Sequence, residues 1–305
     1  MDRIKVKAPA TIANLVCGFD VLGLAVHEPY DEIEVVLKKE KGIRIRHTDP
    51  FGLPEDPAKN IVGVALQAMI DELKIDAGFD ITVTKHIMPG SGIGSSSASA
   101  AGIIGAANLL LGTKLSEKDQ VRFAMEGEAM ASGSRHADNL APCIYGGVTL
   151  IRDTASLDII RLAYPPMHIA IVHPQIEVKT SYAREILPKE VPLKDAVRQW
   201  AHVGGLVAGF LQQDIGLISR SLHDHIIEPV RSRLIPGYDA VMQRCKDAGF
   251  IGGGISGSGP SLFMLCRDEK EAAEAVLIMK DVYDKQKISY KTYLTSISDT
   301  GVSAI

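Results

Sequence analysis

The sequence of 305 residues predicts an α+β fold, and three observations support this prediction. Strand-like and helix-like segments follow one another without a regular strand–helix–strand repeat, which disfavours a doubly wound parallel sheet. Two glycine-rich segments, at 90–94 and 252–259, adjoin regular elements. The length suits two domains of about 100–200 residues each. We place their boundary near 155–167, which gives domains of 1–160 and 161–305.

The first half of the chain contains predicted strands and helices in mixed order. Apolar residues at strand-like spacing predict strands at 4–6, 32–38, 43–47, 79–83 and 148–151. Helical spacing predicts a helix over 60–73, and an alanine-rich helix follows the first glycine-rich segment and is capped by Gly112. The segment 116–119, Ser-Glu-Lys-Asp, is similar to a capping box and predicts the start of another helix.

The second half mixes the two kinds of element in the same way. Helices are predicted at 193–212, 239–247 and 270–284, and strands at 169–172, 261–266 and 288–294. The second glycine-rich segment is predicted to be a loop that leads into the strand at 261–266. No internal repeat and no low-complexity segment interrupts this pattern.

Charge and hydropathy exclude several classes of protein. A net charge of −4 argues against nucleic-acid binding, which usually requires a basic face. No apolar run is long enough to cross a bilayer, and the N-terminal segment lacks the apolar stretch of a signal peptide. The four cysteines are widely spaced, which predicts reduced thiols rather than a zinc site or disulfides. We therefore expect a cytoplasmic protein without a membrane anchor.

The segment 89–99, Pro-Gly-Ser-Gly-Ile-Gly-Ser-Ser-Ser-Ala-Ser, is the most informative part of the sequence. Glycines leave room for a phosphate beside the unpaired N–H groups at a helix start, where the helix dipole is positive. Serine hydroxyls can add hydrogen bonds to phosphate oxygens or bind Mg²⁺. The segment lacks the Gly-Lys-Ser/Thr of a Walker A loop and the third glycine of a dinucleotide loop. A polyphosphate site and a simple flexible turn before a packed helix both remain open.

The second glycine-rich segment, 252–260, lies about 160 residues further along the chain. One such segment is weak evidence for a binding site, because glycine motifs often occur without function. Two of them, each adjoining a regular element, indicate that backbone from both closes around one ligand.

Three segments together resemble the motifs of the GHMP kinase superfamily, in the same order: APATIANLVCGFDVLGLA, PGSGIGSSSASA and GGGISGSGPSLF. Within the superfamily the chain is similar to the homoserine kinase family. The resemblance to that family rests on NLxxGFDxxGLA and on the segments HADNLAP at 136–142, TSYAR at 180–184, and EPVR at 228–231 followed by LIP at 234–236. It covers nearly the whole chain.

The resemblance implies a GHMP kinase fold, with an N-terminal ribosomal S5 domain 2-like domain and a C-terminal ferredoxin-like domain. ATP would lie between them, and its γ-phosphoryl group would pass to the side-chain hydroxyl of L-homoserine, a step of threonine biosynthesis. The implied assembly is a homodimer. The residues implied to bind ATP are Pro89, Gly90, Ser91, Gly92, Ile93, Gly94, Ser95, Ser96, Ser97, Ala98 and Ser99.

The resemblance also implies a Mg²⁺ site at Ser96 and Glu128. One hydroxyl and one carboxylate suffice, because Mg²⁺ prefers oxygen ligands and keeps several waters. From spacing alone Glu126 competes with Glu128, and either could be a solvated carboxylate on a helix. The position of the motif favours Glu128.

The implied substrate residues are an acid, two arginines and several polar groups. Arg184 and Arg231 would hold the amino-acid carboxylate, since the planar guanidinium fits a carboxylate; Arg233 competes with Arg231, and a surface ion pair is the structural alternative. Asp20 and Asn14 would receive the ammonium and nearby polar groups, and Gly257 is a further implied substrate-binding residue. The substrate hydroxyl would face His136 and Asn139, and these two with Ser96 form the catalytic set. Asp20 in a turn and His136 in a purely structural role are the alternatives.

Two features raise separate hypotheses. The family usually has Gly-Pro where this chain has Val16-Cys17, which changes the loop that carries Asn14 and Asp20. Asn139 stands where some related kinases have an aspartate base, so we hypothesise that no strong general base acts.

Two alternative functions stay open: another GHMP-type kinase acting on a different alcohol, and a non-catalytic nucleotide- or amino-acid-binding protein on the same scaffold. The pair His223 and His225 is not interpreted as a metal site, because a spacing of two places them on different helix faces.

Overall fold

The computed structural model describes residues 2–133, 135–178 and 180–305. Within these ranges the strands are β1 (Arg3–Ala13), β2 (Leu22–Lys38), β3 (Gly42–His47), β4 (Gly78–Thr84), β5 (Val148–Asp153), β6 (Asp158–Leu162), β7 (His168–Pro174), β8 (Gly252–Ile255), β9 (Leu262–Cys266), β10 (Tyr290–Ser296) and β11 (Ser303–Ala304). The helices are α1 (Ile61–Leu73), α2 (Ser95–Leu111), α3 (Glu117–Ser132), α4 (Leu140–Tyr145), α5 (Thr180–Glu185), α6 (Leu193–Gln212), α7 (Ile215–Ser221), α8 (Glu228–Arg231), α9 (Tyr238–Asp247) and α10 (Glu269–Gln286).

Two mixed layers of sheet and helix make up the architecture. The first sheet has the order β11–β1–β2–β4–β3, and β5 pairs with β2 and β6 at its side. Its pairs are antiparallel except β3 with β4. The second sheet has the order β10–β7–β9–β8 and is antiparallel throughout. The predicted α+β class is therefore confirmed.

Helix α2 lies at the centre of the first layer, where its small side chains allow close packing against β1 and β2. Thirteen of its residues are buried, so it has no wide polar face and is held by packing on most sides. A Cβ atom at Gly102 would lie 2.6 Å from the Ile33 side chain, closer than packed atoms allow. The low aromatic content of the sequence is consistent with this small-residue core.

Helices α9 and α10 contact the second sheet and build a second apolar cluster around Tyr283. The predicted domain boundary at 160/161 stays a prediction: β6 spans it, and β11 returns to the first sheet. A bridge between Val26 and Ile297 further connects the two parts of the chain. In the described part of the chain, no helix combines the length and apolar character needed to cross a membrane.

The elements predicted from spacing are present, with one correction in the second glycine-rich segment. Residues 252–255 form β8, which pairs with β9, rather than a loop. Glycine is required there because Cβ atoms at Gly253 and Gly254 would lie 1.9 Å from the Phe263 carbonyl and 2.0 Å from the Glu228 carboxylate. Such close approach, not chain flexibility, explains these two glycines.

Candidate active site

The first glycine-rich segment turns sharply into the start of α2. Gly92 and Gly94 have φ angles of +82° and +73°, a region that favours glycine. A Cβ atom at Gly94 would lie 2.0 Å from the Thr11 hydroxyl. Gly94 is the N-cap residue and has no side chain to satisfy the first N–H groups of α2. The helix start therefore presents N–H donors and the positive end of its dipole, as an anion site requires.

The two glycine-rich segments meet, as the sequence indicated. The Ser256 hydroxyl donates to the Gly92 carbonyl at 2.8 Å, and the Ser261 hydroxyl donates to the Ser91 carbonyl at 2.6 Å. These bonds connect the turn before α2 with the end of β8. Their ligand-binding role stays a prediction.

A cavity of about 320 Å³ opens where these segments meet. The predicted site residues that line it are Asn14, Asp20, Pro89, Gly90, Gly92, Gly94, Ser95, Ser96, Ser97, Ser99, Glu128, His136, Asn139, Arg184, Arg231 and Gly257. Three residues of the predicted ATP-binding segment do not line it. Ile93 and Ala98 are in the apolar core, and Ser91 uses its carbonyl to bind Ser261. Their contribution is to shape the turn.

Ser96 and Glu128 lie together at the start of α2. The Ser96 and Ser97 hydroxyls donate to the two Glu128 carboxylate oxygens at 3.1 and 3.0 Å. Burial raises the pKa of Glu128, and these two hydrogen bonds oppose that shift. Glu126 instead pairs with Arg135, and this pair lies at the surface. The structure thus separates two glutamates that the sequence could not distinguish by spacing.

Asp20 forms an ion pair with Arg184 inside the cavity. The Arg184 guanidinium donates to both Asp20 oxygens, with nitrogen–oxygen distances of 2.9–3.1 Å. The His136 Nδ1 atom is 3.7 Å from Asp20. The Phe19 ring lies 5.2 Å from the Arg184 guanidinium carbon and 5.0 Å from that of Arg231, within cation–π range.

Arg231 is buried, whereas its competitor Arg233 is exposed. The Arg231 Nε atom donates to the Ala183 carbonyl and one terminal nitrogen donates to the Gly257 carbonyl, both at 3.0 Å. Asn14 also donates to the Gly257 carbonyl, at 2.8 Å. Two parts of the guanidinium are thus fixed to backbone. This arrangement orients Arg231 toward the cavity that it lines.

His136 and Asn139 face the same cavity from the segment before α4. Burial lowers the pKa of His136; the Asp20 charge raises it, and the Arg184 and Arg231 charges lower it. The Thr11 hydroxyl donates to the Asn139 side-chain oxygen at 2.7 Å. The Asn139 amide nitrogen is then the group available to donate. Thr11 was not identified from the sequence, although it lies in the APATIANL motif.

Six further lining residues were also missed: Phe19, Leu53, Ile61, Lys85, Asp138 and Ser258. Lys85 is buried, forms an ion pair with buried Asp31, and donates to the Ser95 carbonyl and the Ser99 hydroxyl, both at 2.9 Å. Its position four residues before Pro89 was the only signal in the sequence. Burial raises the pKa of Asp138 to about 7, and the sequence could not show that burial.

The Val16-Cys17 segment departs from the family pattern in a defined way. Val16 has a φ of +66°, a strained value for a β-branched residue and one that glycine adopts easily. Its side chain is buried in the core, which offsets part of that strain. Cys17 is buried, and burial raises the pKa of its thiol to about 12, so it is not a reactive thiolate. The Gln199 amide donates to the Cys17 carbonyl at 2.7 Å and holds this loop.

Comparison with known proteins identifies the family of this chain. The family model described as the GHMP kinases N-terminal domain matches residues 60–147, and the one described as GHMP kinases C-terminal matches 206–285. A homoserine kinase of Chloroherpeton thalassium is 42% identical over 298 residues, and the match covers 93% of both chains. One of Chlorobium phaeobacteroides is 43% identical, with 90% of both covered.

Solved structures give the same result. The crystal structure of homoserine kinase from Cytophaga hutchinsonii superimposes with a TM-score of 0.96 at 47% identity, covering 100% of this chain and 98% of that one. Such identity over whole chains extends well beyond the three motifs. The chain therefore belongs to the GHMP kinase superfamily and, within it, to the homoserine kinase family.

Proposed function

We propose that this protein transfers the γ-phosphoryl group of ATP to the side-chain hydroxyl of L-homoserine. The observation that carries this proposal is one cavity that joins the N-terminus of α2 with an acid and two arginines. The helix start suits a triphosphate. Asp20, Arg184 and Arg231 suit an amino acid, because they offer opposite charges a short distance apart.

The Asp20–Arg184 ion pair explains how an amino acid would bind. A zwitterion can replace each partner of this pair: its carboxylate would bind Arg184 in place of Asp20, and its ammonium would bind Asp20 in place of Arg184. Arg231 and the groups fixed around Gly257 would complete the carboxylate end. His136 and Asn139 would then face the hydroxyl. Mevalonate or a sugar has no ammonium group to bind Asp20.

Mg²⁺ fits Ser96 and Glu128, which bring a hydroxyl and a carboxylate within 3.1 Å of each other. Both are the oxygen ligands that Mg²⁺ prefers, and a bound cation would offset the cost of the buried carboxylate charge. When bound, Mg²⁺ neutralises charge that develops on the transferred phosphoryl group. Among the described residues there is no cluster of three or more acidic, His or Cys side chains suited to a metal. Phosphate oxygens and water would supply the other ligands.

Positioning and electrostatic stabilisation would account for the rate. Phosphoryl transfer has a loose transition state, so its rate depends only weakly on the strength of the nucleophile. The N–H groups of α2 are already oriented by the packed helix and so need no reorganisation as charge develops. Asn139, oriented by Thr11, would donate to the hydroxyl oxygen but cannot take its proton. The proton would pass to the γ-phosphate.

A coupled assay of ADP release tests the function itself. We expect turnover with L-homoserine and ATP, loss of turnover when Mg²⁺ is removed, and no turnover with mevalonate or galactose. Phosphate found on the homoserine side-chain oxygen by ³¹P NMR would support the assignment. Equal turnover of a non-amino-acid alcohol would favour another GHMP-type kinase. Nucleotide binding without product would favour a binding protein.

Arg184→Ala is expected to raise the KM for L-homoserine by about 10- to 100-fold. This change corresponds to the loss of the charge-assisted hydrogen bonds that Arg184 would donate to the substrate carboxylate. The KM for ATP should change little, because Arg184 pairs with Asp20 and not with a group at the start of α2. Steady-state kinetics with each substrate varied in turn measures both. Arg44→Ala on β3, which removes an exposed guanidinium, is the control. A rise in the KM for ATP alone would contradict the assigned role.

Asn139→Ala is expected to keep measurable turnover, since no strong base is removed. Asp138→Asn tests one candidate base, the buried carboxyl whose pKa is raised to about 7. If Asp138 were the base, kcat of the unmodified protein would rise as pH increases through about 7, and Asp138→Asn would abolish that rise. We expect no such step in kcat in either protein. Complete loss of turnover in Asn139→Ala with intact substrate binding would refute the mechanism.

We further propose that the protein is a cytoplasmic homodimer. Large apolar side chains on α6 are exposed, among them Leu193, Val197 and Trp200, and such patches commonly mark interaction surfaces. Sedimentation equilibrium measures the assembly. A dimer that Trp200→Glu converts to monomer is the expected result, and a monomer at all concentrations would contradict the proposal.

A further inference from the structure

One aromatic ring contacts both arginines that are proposed to hold the substrate carboxylate. The Phe19 ring centroid lies 5.2 Å from the Arg184 guanidinium carbon and 5.0 Å from that of Arg231. Both distances are within the roughly 6 Å over which an aromatic face attracts a guanidinium. Phe19 also lines the cavity and directly precedes Asp20 in the chain. The ring therefore belongs to the same end of the cavity as the two guanidiniums.

Apolar packing does not account for the position of this ring. Phe19 is half-buried, and among the described residues it belongs to neither of the two apolar clusters that form the core. The nearby side chains of Leu15 and Val16, by contrast, lie in the larger cluster. An aromatic side chain that lies outside the core and next to two cations makes contacts that depend on its π face.

An attractive partner is required here because the two guanidiniums repel each other. Burial lowers the pKa of Arg231, and the Arg184 charge lowers it further. Hydrogen bonds to the Ala183 and Gly257 carbonyls fix Arg231. In the described part of the chain, the Arg184 guanidinium makes its side-chain hydrogen bonds to Asp20. The negative face of the ring offsets part of the repulsion between the two cations.

Substrate binding, as proposed above, would exchange the partner of Arg184. The carboxylate of the amino acid would replace Asp20 and so remove the hydrogen bonds that hold the guanidinium. The contact with Phe19 takes no part in this exchange, so the ring can hold the guanidinium in one place before and after it. An arginine that is already held loses less side-chain freedom when the ligand binds, which increases affinity.

The loop that carries Phe19 is itself fixed on both sides of the ring. The Gln199 amide donates to the Cys17 carbonyl at 2.7 Å, and the Asp20 N–H donates to the Asn14 side-chain oxygen at 3.1 Å. Backbone two residues before the ring and one residue after it is thus held by hydrogen bonds. This support allows an uncharged side chain to position two charged ones.

We propose that Phe19 is a positioning residue for the substrate carboxylate, because its ring holds the Arg184 and Arg231 guanidiniums in place through cation–π contacts. Phe19 acts through the two arginines and takes no part in transfer of the phosphoryl group. The inference rests on the proposed function, since it concerns the carboxylate of the same amino-acid substrate. A change in the ring should therefore alter the KM for L-homoserine much more than kcat.

Fluorinated phenylalanines at position 19 separate electrostatic attraction from packing. Ring fluorines withdraw electron density from the π face and change the size of the side chain little, so each fluorine should weaken both cation–π contacts. The full-length protein with a 4-fluoro, 3,5-difluoro or 3,4,5-trifluoro ring is assayed with L-homoserine varied at saturating ATP. We expect the KM to rise with each fluorine, by about fivefold or more for the trifluoro ring. A constant KM across the series would overturn the proposal.

The same fluorine series at Phe123 is the matched control. The Phe123 ring centroid lies 4.3 Å from the Arg122 guanidinium carbon, which is a contact of the same kind. Neither of these two residues lines the cavity. Fluorination there should leave the KM for L-homoserine unchanged. Equal rises at both positions would indicate an effect on the whole fold and would overturn the proposal.

Two ordinary variants give a second measurement. Phe19→Tyr keeps an aromatic face and should keep a KM close to that of the unmodified protein. Phe19→Leu keeps an apolar side chain without a π face and should raise the KM for L-homoserine about tenfold. Urea denaturation checks that both variants are folded. If the two variants had the same KM, packing alone would explain the residue and the proposal would be wrong.

The unmodified protein distinguishes failure of this proposal from failure of the proposed function. Calorimetry measures L-homoserine binding to the unmodified protein and to the fluorine series, with and without ADP. If L-homoserine binds but is not phosphorylated, the proposed function fails, and the dissociation constants across the series test Phe19 in the same way. If the unmodified protein neither binds nor phosphorylates L-homoserine, both proposals are overturned.

Discussion

Replacing Lys85 by methionine should lower the free energy of unfolding by about 3–5 kcal/mol, because Asp31 then stays buried without its positive partner. The Lys85 and Asp31 side chains are 2% and 0% exposed, so water does not screen their interaction. The same change removes two hydrogen bonds that Lys85 donates to the first turn of α2. Urea denaturation measures the loss, and the melting temperature should fall by about 10 °C.

The matched control is Lys41→Met, which removes an exposed ion pair with Asp76. These side chains are 77% and 76% exposed, and such pairs contribute less than about 1 kcal/mol. A second comparison is the double variant Lys85→Met/Asp31→Leu, which removes both buried charges and should recover part of the lost stability. If Lys85→Met were no more destabilising than Lys41→Met, the buried pair would not hold the start of α2.

Glu128→Gln should lower kcat by about 100- to 1000-fold, a usual cost for losing one group that stabilises transition-state charge. Glutamine has nearly the same shape and keeps hydrogen-bonding capacity toward Ser96 and Ser97, so the fold should be preserved. The lost carboxylate charge should also raise the Mg²⁺ concentration needed for half-maximal rate. Initial rates over a Mg²⁺ titration measure both effects.

Glu126→Gln, two residues away on the same helix, is the control. Its carboxylate pairs with Arg135 at the surface, and kcat should stay within about twofold of the unmodified protein. Equal losses in the two variants would mean that Glu128 acts only through the stability of α3. A loss of rate in Glu128→Gln without any change in Mg²⁺ dependence would contradict its assignment as a metal ligand.

The strands and helices were largely predictable because their apolar spacing reflects burial on one face. Helices α1, α2 and α3 begin at or next to the predicted residues, and Asn60 and Ser116 cap α1 and α3 with their side chains. The short elements α4, α5, α7, α8, β6 and β11 were not predicted, and β8 was predicted as a loop. Its glycines are required by the nearby Phe263 carbonyl and Glu228 carboxylate, and both contacts join residues that are distant in the sequence.

The candidate site was predictable in composition but not in its internal contacts. The three motifs and the further segments of the family resemblance identified sixteen residues that line the cavity. They did not show that Thr11 orients Asn139 or that Lys85 anchors the start of α2. The two partners in each pair lie apart in the sequence. Only folding brings their side chains and backbone groups within hydrogen-bond distance.

The sequence by itself determined the α+β class, because apolar spacing reflects local structure, and its motifs indicated the family and the segment proposed to hold phosphate. Only the tertiary structure distinguished residues that the sequence could not: Glu128 is buried whereas Glu126 forms a surface ion pair, and Arg231 is buried whereas Arg233 is exposed. The physical reason is that burial and electrostatic environment are properties of the packed chain, and residues far apart in sequence create them.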